Sequence, residues 1–133
     1  MIKNLVIAVC LLLLASCSND LETKLNGKWQ LQQVEADGIV QHVDTIFFNF
    51  QHSLFMFQVY NPATEAEHVS FGFNAIEGEN RLLLELTDNP SPVSNFLQYT
   101  DWTSGKRTYT IEKSTRKDLI LFSDDKRYTF RKF

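Results

Sequence analysis

The segment that decides the fold is residues 69–86, which read VSFGFNAIEGENRLLLEL. Apolar residues occupy alternate positions from Val69 to Phe73 and again from Leu82 to Leu86. A period of two places apolar side chains on one face of a β-strand. Gly78 and its polar neighbours separate the two runs at the spacing of a hairpin turn. The segment therefore predicts two antiparallel strands, with Phe71 and Phe73 on the buried face.

The same alternation runs through most of the chain on both sides of this hairpin. It predicts eight strands, at residues 28–35, 45–50, 53–60, 68–76, 81–87, 107–113, 119–123 and 127–133. Short strands joined in sequence by tight turns favour an up-and-down meander, and a meander of this length avoids exposed edges best by closing on itself. We therefore expect an all-β, eight-stranded antiparallel barrel, whose interior is either filled or holds one small ligand.

Two places interrupt the alternation. The spacing slips by one residue in the first strand, which predicts a bulge at Gln32 and Gln33. Residues 88–105 form a connection of eighteen residues that contains Pro90 and several apolar side chains. Connections beyond about 12–15 residues usually have a function or a structure of their own. We expect one helical turn near residues 94–99, in a loop that lies over an open end or edge of the barrel or simply crosses over the core.

The N-terminus has the order of features of an export signal. Lys3 precedes an unbroken apolar run, residues 5–14, which is too short to span a bilayer as a helix. The run ends in Leu14-Ala15-Ser16-Cys17, which resembles the bacterial lipobox. That resemblance implies a signal peptide at residues 1–16 and a lipid on Cys17; a plain signal peptide and a buried helix with an incidental cysteine are the alternatives.

The residues after Cys17 predict where the protein is anchored. Residues 17–24 are polar and without periodicity, which indicates a tether, and the barrel domain is expected to occupy residues 25–133. Ser18, rather than an aspartate, follows the cysteine, which fits an outer-membrane destination in organisms that sort by this position. We expect a protein attached to the membrane through Cys17, on the periplasmic face or at the cell surface.

Composition and motifs exclude several classes of function. The 133 residues are 44% hydrophobic and carry a net charge of −3, which disfavours disorder, a polytopic membrane protein and a nucleic-acid-binding role. The three histidines, His42, His52 and His68, lack metal-ligand spacing, and we find no phosphate loop or nucleophile elbow. We therefore expect no catalytic residues, no metal and no cofactor. Arg107 and the other basic residues of the C-terminal third are expected on the outer face.

Both ends of the predicted domain resemble one family. Leu25-Asn26-Gly27-Lys28-Trp29 is similar to the Gly-x-Trp start of lipocalins, and residues 109–113, 118–121 and 128–133 resemble the final strands of small lipocalin-like lipoproteins of Bacteroidetes. The resemblance implies a lipocalin-like barrel in which Trp29 closes one end and Gly27 lets the backbone turn. It implies a fold and no biochemical activity.

Two functional hypotheses follow. The first is a carrier or sensor for a small apolar ligand, held among six interior residues: Phe48, Phe50, Phe71, Phe73, Leu84 and Tyr109. The second is a protein-interaction module, either an accessory subunit of an envelope complex or an inhibitor of a foreign enzyme. A cavity of several hundred Å³ would favour the carrier, and a filled core would favour the interaction module. An enzyme ranks third.

The hairpin at residues 45–60 suggests where a partner would bind. Both of its faces carry large apolar side chains, whereas a hairpin that faces water should be apolar on one side only. Its outer face must then be covered, either by residues 88–105 or by a partner protein. The predicted interaction surface consists of Phe47, Phe55, Phe57 and Trp102.

Overall fold

A computed structural model describes residues 20–133, and most of this part of the chain forms β-strands. There are two short helices, α1 at Asp20–Leu25 and α2 at Val93–Leu97. The strands are β1 Gly27–Ala36, β2 Ile39–His42, β3 Ile46–Gln51, β4 Leu54–Asn61, β5 Ala66–Glu77, β6 Arg81–Leu86, β7 Lys106–Ser114, β8 Asp118–Ser123 and β9 Lys126–Lys132. The predicted signal peptide and Cys17 lie outside the described residues.

The strands form a closed antiparallel barrel. β1 pairs with β3, each later strand pairs with the next, and β9 returns to pair with β1. Closure leaves the main chain of β1 and β9 hydrogen-bonded to each other instead of exposed as two edges. The expected eight-stranded up-and-down barrel is thus confirmed.

The ninth strand, β2, was not predicted. It pairs with Gln33–Ala36 of β1, beyond the residues of β1 that pair with β3. All four of its side chains are exposed. Without a buried face, such a strand carries no alternating pattern, and the hairpin turn Asp37-Gly38 was the available signal for it.

The tether predicted for residues 17–24 also differs from the structure, because residues 20–24 belong to α1. Leu25, the last residue of this helix, is buried in the core. Neither helix of the described chain has the length and apolar character that a membrane crossing requires.

The two predicted irregularities are both present. The register of β1 against β9 shifts between Leu31 and Gln33, which is the expected bulge. Residues 88–105, which we call the mouth segment, contain α2 near the predicted helical turn.

One end of the barrel is closed by Trp29. Its ring is fully buried, and its Nε1 donates a hydrogen bond to the carbonyl oxygen of Leu25 at 2.8 Å. Lys132 places its ammonium 4.4 Å from the ring centroid. Gly27 has a φ of 119°, which lets the chain turn from α1 into β1. Trp29 therefore lies where the resemblance to lipocalins implies, at a closed end of the barrel.

The core of the barrel is an aromatic cluster centred on Phe48. Its ring lies 4.8 to 5.1 Å, between centroids, from the rings of Phe55, Phe57 and Phe130. Tyr109 lies 6.2 Å from it across the interior. Rings at these separations are in contact, so the interior between β3, β4, β7 and β9 is filled by side chains.

Strand β5 faces the opposite way from the prediction. Phe71 and Phe73 are 41% and 52% exposed, whereas Ser70, Gly72 and Asn74 point inward. The reason is the neighbouring strand β4, because Phe55 lies directly opposite Gly72 and Phe57 lies directly opposite Ser70. Large rings on β4 leave room only for small side chains on β5.

Candidate functional site

The mouth segment covers the end of the barrel opposite Trp29. It leaves the barrel after β6 and returns at β7, where the amide of Leu86 donates to the carbonyl oxygen of Gly105 at 2.7 Å. The amide of Phe71 donates to Asn89 at 3.0 Å and so attaches the segment to β5. Tyr99 of the segment stacks on His68, with 3.6 Å between the ring centroids. The segment is therefore fastened along the rim of the barrel. This confirms the interpretation of a packed loop over an open end.

Two aromatic side chains of the mouth segment enter the barrel. Phe96 and Trp102 are buried, and their ring centroids lie 5.1 and 5.3 Å from the ring of Phe57. Trp102 also lies nearly parallel to Phe55, at 6.3 Å. Its Nε1 donates to the hydroxyl oxygen of Tyr109 at 2.9 Å. The apolar interior is thus closed at this end by a loop and not by the strands themselves.

A buried arginine lies beside these rings. The side chain of Arg107, on β7, is only 7% exposed. Its Nη1 donates to Asp101 Oδ1 at 2.8 Å, its Nη2 donates to the Tyr128 hydroxyl at 2.8 Å, and its Nε donates to Ser123 Oγ at 3.2 Å. The Tyr128 hydroxyl in turn donates to Asp101 Oδ2. We call Asp101, Trp102, Arg107, Tyr109 and Tyr128 the mouth cluster.

The charges of the mouth cluster follow from this geometry. Burial by itself lowers the pKa of Arg107, but the neighbouring Tyr109, Asp101 and Tyr128 outweigh this effect, and its pKa is raised. Burial raises the pKa of Tyr109, and burial together with the hydrogen bond to Asp101 raises the pKa of Tyr128. At neutral pH the cluster therefore holds one cation and two protonated phenols.

The mouth cluster has the character of a binding site. A charge inside a protein is costly unless it is paired and hydrogen-bonded, and Arg107 meets this condition through Asp101, Ser123 and Tyr128. Apolar walls with a few convergent polar groups are typical of sites for small molecules. No group of three metal-ligating side chains occurs within residues 20–133.

The structure divides the predicted ligand-binding residues into two sets. Phe48, Phe50, Leu84 and Tyr109 are buried inside the barrel as expected. Phe71 and Phe73 lie on the outer wall, so their assignment to the interior is wrong. They face outward because Gly72 and Ser70 occupy the inner positions opposite the rings of β4.

The predicted interaction surface is also divided. Phe55, Phe57 and Trp102 are buried in the core, so their placement on an outer face is wrong. Phe55 and Phe57 occupy inward-facing positions of β4, and the mouth segment directs Trp102 inward. Phe47 does lie outside, where its ring contacts Phe133 at 5.2 Å between centroids. The mouth segment therefore closes the barrel and does not cover the outer face of the hairpin.

A different apolar surface occupies the outer wall. Leu54 and Phe73 are each 52% exposed and pair directly across β4 and β5, and Met56 pairs with Phe71 beside them. We call Leu54, Met56, Phe71 and Phe73 the outer patch. Clefts of about 180 and 260 Å³ flank it, the first beside Leu54 and Phe71 and the second beside Phe73. The two apolar faces of the hairpin at residues 45–60 indicated the β4 half of this surface, Leu54 and Met56, whereas Phe71 and Phe73 were missed because the alternation of β5 was assigned to the wrong face.

Sequence reasoning missed Arg107, Asp101 and Tyr128 as site residues. Arg107 was expected on the outer face with the other basic residues, and that expectation is wrong for this residue. It shares the strand parity of Tyr109 and Ile111, which are both buried. The alternation along β7 was therefore the available signal for Arg107. No such signal pointed to its partners, because Asp101 and Tyr128 are 6 and 21 residues away in the chain.

Comparisons with known proteins agree with this architecture. Residues 12–133 match the family model described as a lipocalin-like domain. The crystal structure of a lipocalin-like protein from Bacteroides uniformis superposes with a TM-score of 0.73 at 30% identity, covering 83% of this chain and 99% of that one. The structure of an uncharacterized protein from Bacteroides eggerthii gives a TM-score of 0.71 at 26% identity, with 82% and 99% coverage. No curated protein matches the sequence significantly.

Proposed function

Because the chain belongs to the lipocalin-like domain family, we propose that it is a non-catalytic binding protein for a small apolar molecule, held at the mouth of the barrel. The observation that carries this proposal is the mouth cluster, in which convergent polar groups border an apolar interior under a loop. Phe96 and Trp102 fill the space that a ligand would take. Binding therefore requires the mouth segment to withdraw these two side chains.

Withdrawal of the two rings is compatible with the rest of the fold. Phe96 and Trp102 both belong to the connection between β6 and β7, and neither is part of a strand. The barrel is closed by the hydrogen bonds between β1 and β9, and these strands are not joined by this connection. Two aromatic side chains bury roughly 300–500 Å² together, so their departure exposes apolar walls that a ligand would cover again.

A neutral apolar dye tests the proposal. We expect N-phenyl-1-naphthylamine to bind residues 20–133 at one dye per chain; the two solved relatives, whose chains match 82–83% of this one, fold at this length. The protein contains two tryptophans, which 5-fluorotryptophan labelling resolves by fluorine NMR. The Trp102 resonance should move on dye binding and the Trp29 resonance should not. Trp102→Phe assigns the two signals.

Matched variants locate the dye. Trp102→Ala should raise the affinity several-fold, because the ring that occupies the site is gone. Phe73→Ser, on the outer patch, should leave the affinity unchanged. Loss of binding in Phe73→Ser, together with an unchanged Trp102 resonance, would place the dye on the outer wall and contradict a site at the mouth.

We propose further that Cys17 carries a lipid that anchors the barrel to the outer membrane, on its periplasmic face or at the cell surface. The order of Lys3, the apolar run and Leu14-Ala15-Ser16-Cys17 supports this. Cells fed an alkyne-bearing palmitate should label the wild-type protein and not Cys17→Ala. Cys10→Ala is the matched control and should label normally. Equal labelling of Cys17→Ala and wild type would exclude lipidation at this residue.

A second candidate function is a protein-interaction module, and two observations favour it: the barrel interior is filled by side chains, and the outer patch is exposed. An exposed surface of contiguous apolar side chains is typical of interaction sites. A photo-crosslinking amino acid at position 73 should join the protein to one envelope partner in intact cells. Position 39 on β2 is the control, since Ile39 is 72% exposed but lies outside the outer patch. Equal crosslinking at both positions would count against a specific interface.

A further inference from the structure

The outer patch begins where the N-terminal segment enters the fold. Leu54 starts β4 directly after the turn that joins β3 to β4, and this turn lies at the end of the barrel that Trp29 closes. The amide of His52, in the turn, donates to Asn26 Oδ1 at 2.9 Å. Asn26 connects α1 to β1, so the patch begins two residues from a direct contact with the start of the barrel domain.

A second set of hydrogen bonds attaches this turn to β5. Asn74 Nδ2 donates to the carbonyl oxygens of His52 and Leu54 at 2.8 and 2.9 Å. The amide of Asn74 donates to the carbonyl oxygen of Ser53 at 2.8 Å. Asn74 directly follows Phe73 on β5 and points inward, so its bonds hold the turn against the strand that carries the rings of the patch. The outer patch and the N-terminal end of the domain therefore have a fixed relative position.

The lipid proposed for Cys17 lies close to the same end of the barrel. Cys17 precedes Asp20, the first residue of α1, by three residues, which span at most roughly 11 Å. The six residues of α1 add about 9 Å. A bilayer that holds this lipid is therefore within about 20 Å of Leu25. Such a short connection keeps the closed end of the barrel, and with it the outer patch, beside the bilayer.

The side chains of the outer patch suit the boundary between head groups and acyl chains. Leu54, Phe71 and Phe73 are 41–52% exposed, and apolar side chains of this kind bury themselves in that boundary. The charged residue directly opposite Phe73 on β6 is Glu85, whose carboxylate lies 3.6 Å from the ammonium of Lys106. Contact with a bilayer therefore does not bring an unpaired Glu85 carboxylate towards the acyl chains.

We propose that the outer patch rests on the membrane that holds the lipid of Cys17. This inference depends on the proposed anchoring, and it specifies the face that the anchored barrel turns to the bilayer. The lipid makes the contact intramolecular, so a few apolar side chains are enough to set the orientation. The position of the N-terminus favours the bilayer over a protein partner as the occupant of this surface. The mouth segment then points away from the membrane, and a ligand enters from the aqueous side.

A spin label at position 73 tests the contact. The full chain with Cys10→Ala and Phe73→Cys is purified in detergent and reconstituted into vesicles of phosphatidylethanolamine and phosphatidylglycerol. Because the sequence has two cysteines and Cys17 carries the lipid, the introduced cysteine is the free thiol. Oxygen concentrates in the bilayer and a nickel chelate concentrates in water. We expect the ratio of oxygen access to nickel access to be several-fold higher than for the same label on residues 20–133 in solution.

Position 39 is the matched control for the label. Ile39 is 72% exposed and begins β2, which pairs with Ala36 at the mouth end of β1. A label introduced through Ile39→Cys should therefore give the same ratio on vesicles and in solution. High oxygen access at both positions would mean that the anchored barrel has no preferred face, and it would overturn the proposal.

Serine substitutions test whether the apolar side chains cause the contact. With the label moved to position 71, Leu54→Ser combined with Phe73→Ser should lower the ratio to its value in solution. Ile39→Ser combined with Val40→Ser removes two exposed apolar side chains at the mouth end and should leave the ratio high. An equal ratio in the two double variants would contradict a contact made by the outer patch.

The remaining outcomes separate this proposal from the anchor. A label at position 73 that is open to the nickel chelate, on protein that stays with the vesicles, would overturn the membrane contact and leave the anchor intact. Low access to both reagents in isolated cell membranes would mean that a protein covers the patch, and it would overturn the contact in favour of the second candidate function. Equal palmitate labelling of Cys17→Ala and wild type would overturn the anchor and this proposal together.

Discussion

Replacing Trp29 by alanine is expected to lower the free energy of unfolding by about 3–5 kcal/mol, the usual cost of truncating a large buried aromatic side chain. The ring is fully buried at the closed end of the barrel, beneath Leu25 and the ammonium of Lys132. The truncation leaves a cavity and removes the hydrogen bond to the Leu25 carbonyl oxygen at the end of α1. Small domains are stable by about 5–15 kcal/mol, so most of the protein is expected to unfold at a low urea concentration.

Two control variants separate the contributions at Trp29. Trp29→Phe keeps an aromatic ring but leaves the Leu25 carbonyl oxygen without its donor, so we expect a smaller loss of about 1–3 kcal/mol. Ile39→Ala changes an exposed apolar residue and should alter stability by less than about 0.5 kcal/mol. Urea titration followed by circular dichroism gives all three values. A Trp29→Ala protein as stable as Ile39→Ala would contradict a structural role for Trp29.

The barrel itself was predictable because the period of two is a local property. Seven of the eight predicted strands agree with the observed ones to within one residue at each end, and the remaining one, predicted at residues 68–76, begins two residues later than β5 does. Closure was also predictable, since eight strands in sequence leave two edges that must be paired. β2 escaped prediction because a four-residue strand without a buried face leaves no alternating pattern, although the turn Asp37-Gly38 precedes it.

Which face of each strand is buried was less predictable. Alternation divides a strand into two sets of side chains, but it does not say which set points inward. On β3 and β4 the aromatic set is inside, and on β5 the aromatic set is outside. The choice on β5 depends on the volume of Phe55 and Phe57 across the ladder, which is a property of two strands together. A single strand read alone cannot contain this information.

The mouth cluster lay beyond sequence reasoning for a related reason. An arginine on a strand is normally solvated, so Arg107 was expected to face water. Its position two residues before the buried Tyr109 on β7 indicated the inner face instead. The burial of Arg107 depends on the carboxylate of Asp101, which the mouth segment supplies. The same dependence connects the site to its cover, because removal of the segment exposes an apolar interior and takes the carboxylate of Asp101 away from Arg107.

The second large effect is expected for Gly72→Ala, which should destabilise the protein by more than about 3 kcal/mol. A Cβ atom at Gly72 would lie 1.8 Å from the carbonyl oxygen of Glu85 and 2.8 Å from Cα of Leu86. These are backbone atoms of β6, so no side-chain rotation relieves the overlap, and β5 and β6 must move apart. Gly72 also lies opposite the buried ring of Phe55, so the movement disturbs the core as well as the ladder.

Gly38→Ala is the matched control for this prediction, because it introduces the same methyl group at a glycine with a φ of 76° and no atom within 4 Å of the new Cβ. It should cost only about 1–3 kcal/mol for the strained backbone. The comparison therefore isolates steric overlap between strands from conformational strain within one residue. Stability is measured by urea titration, and by the yield of folded protein if Gly72→Ala is too unstable to titrate.

The close approach of β5 to β6 also determines which face of β5 points inward. Gly72 lies on the inward face, and only a residue without a side chain fits between Phe55 and β6. A Gly72→Ala protein at least as stable as Gly38→Ala would mean that β5 and β6 do not approach so closely, and the reason given for the outward orientation of Phe71 and Phe73 would fail with it.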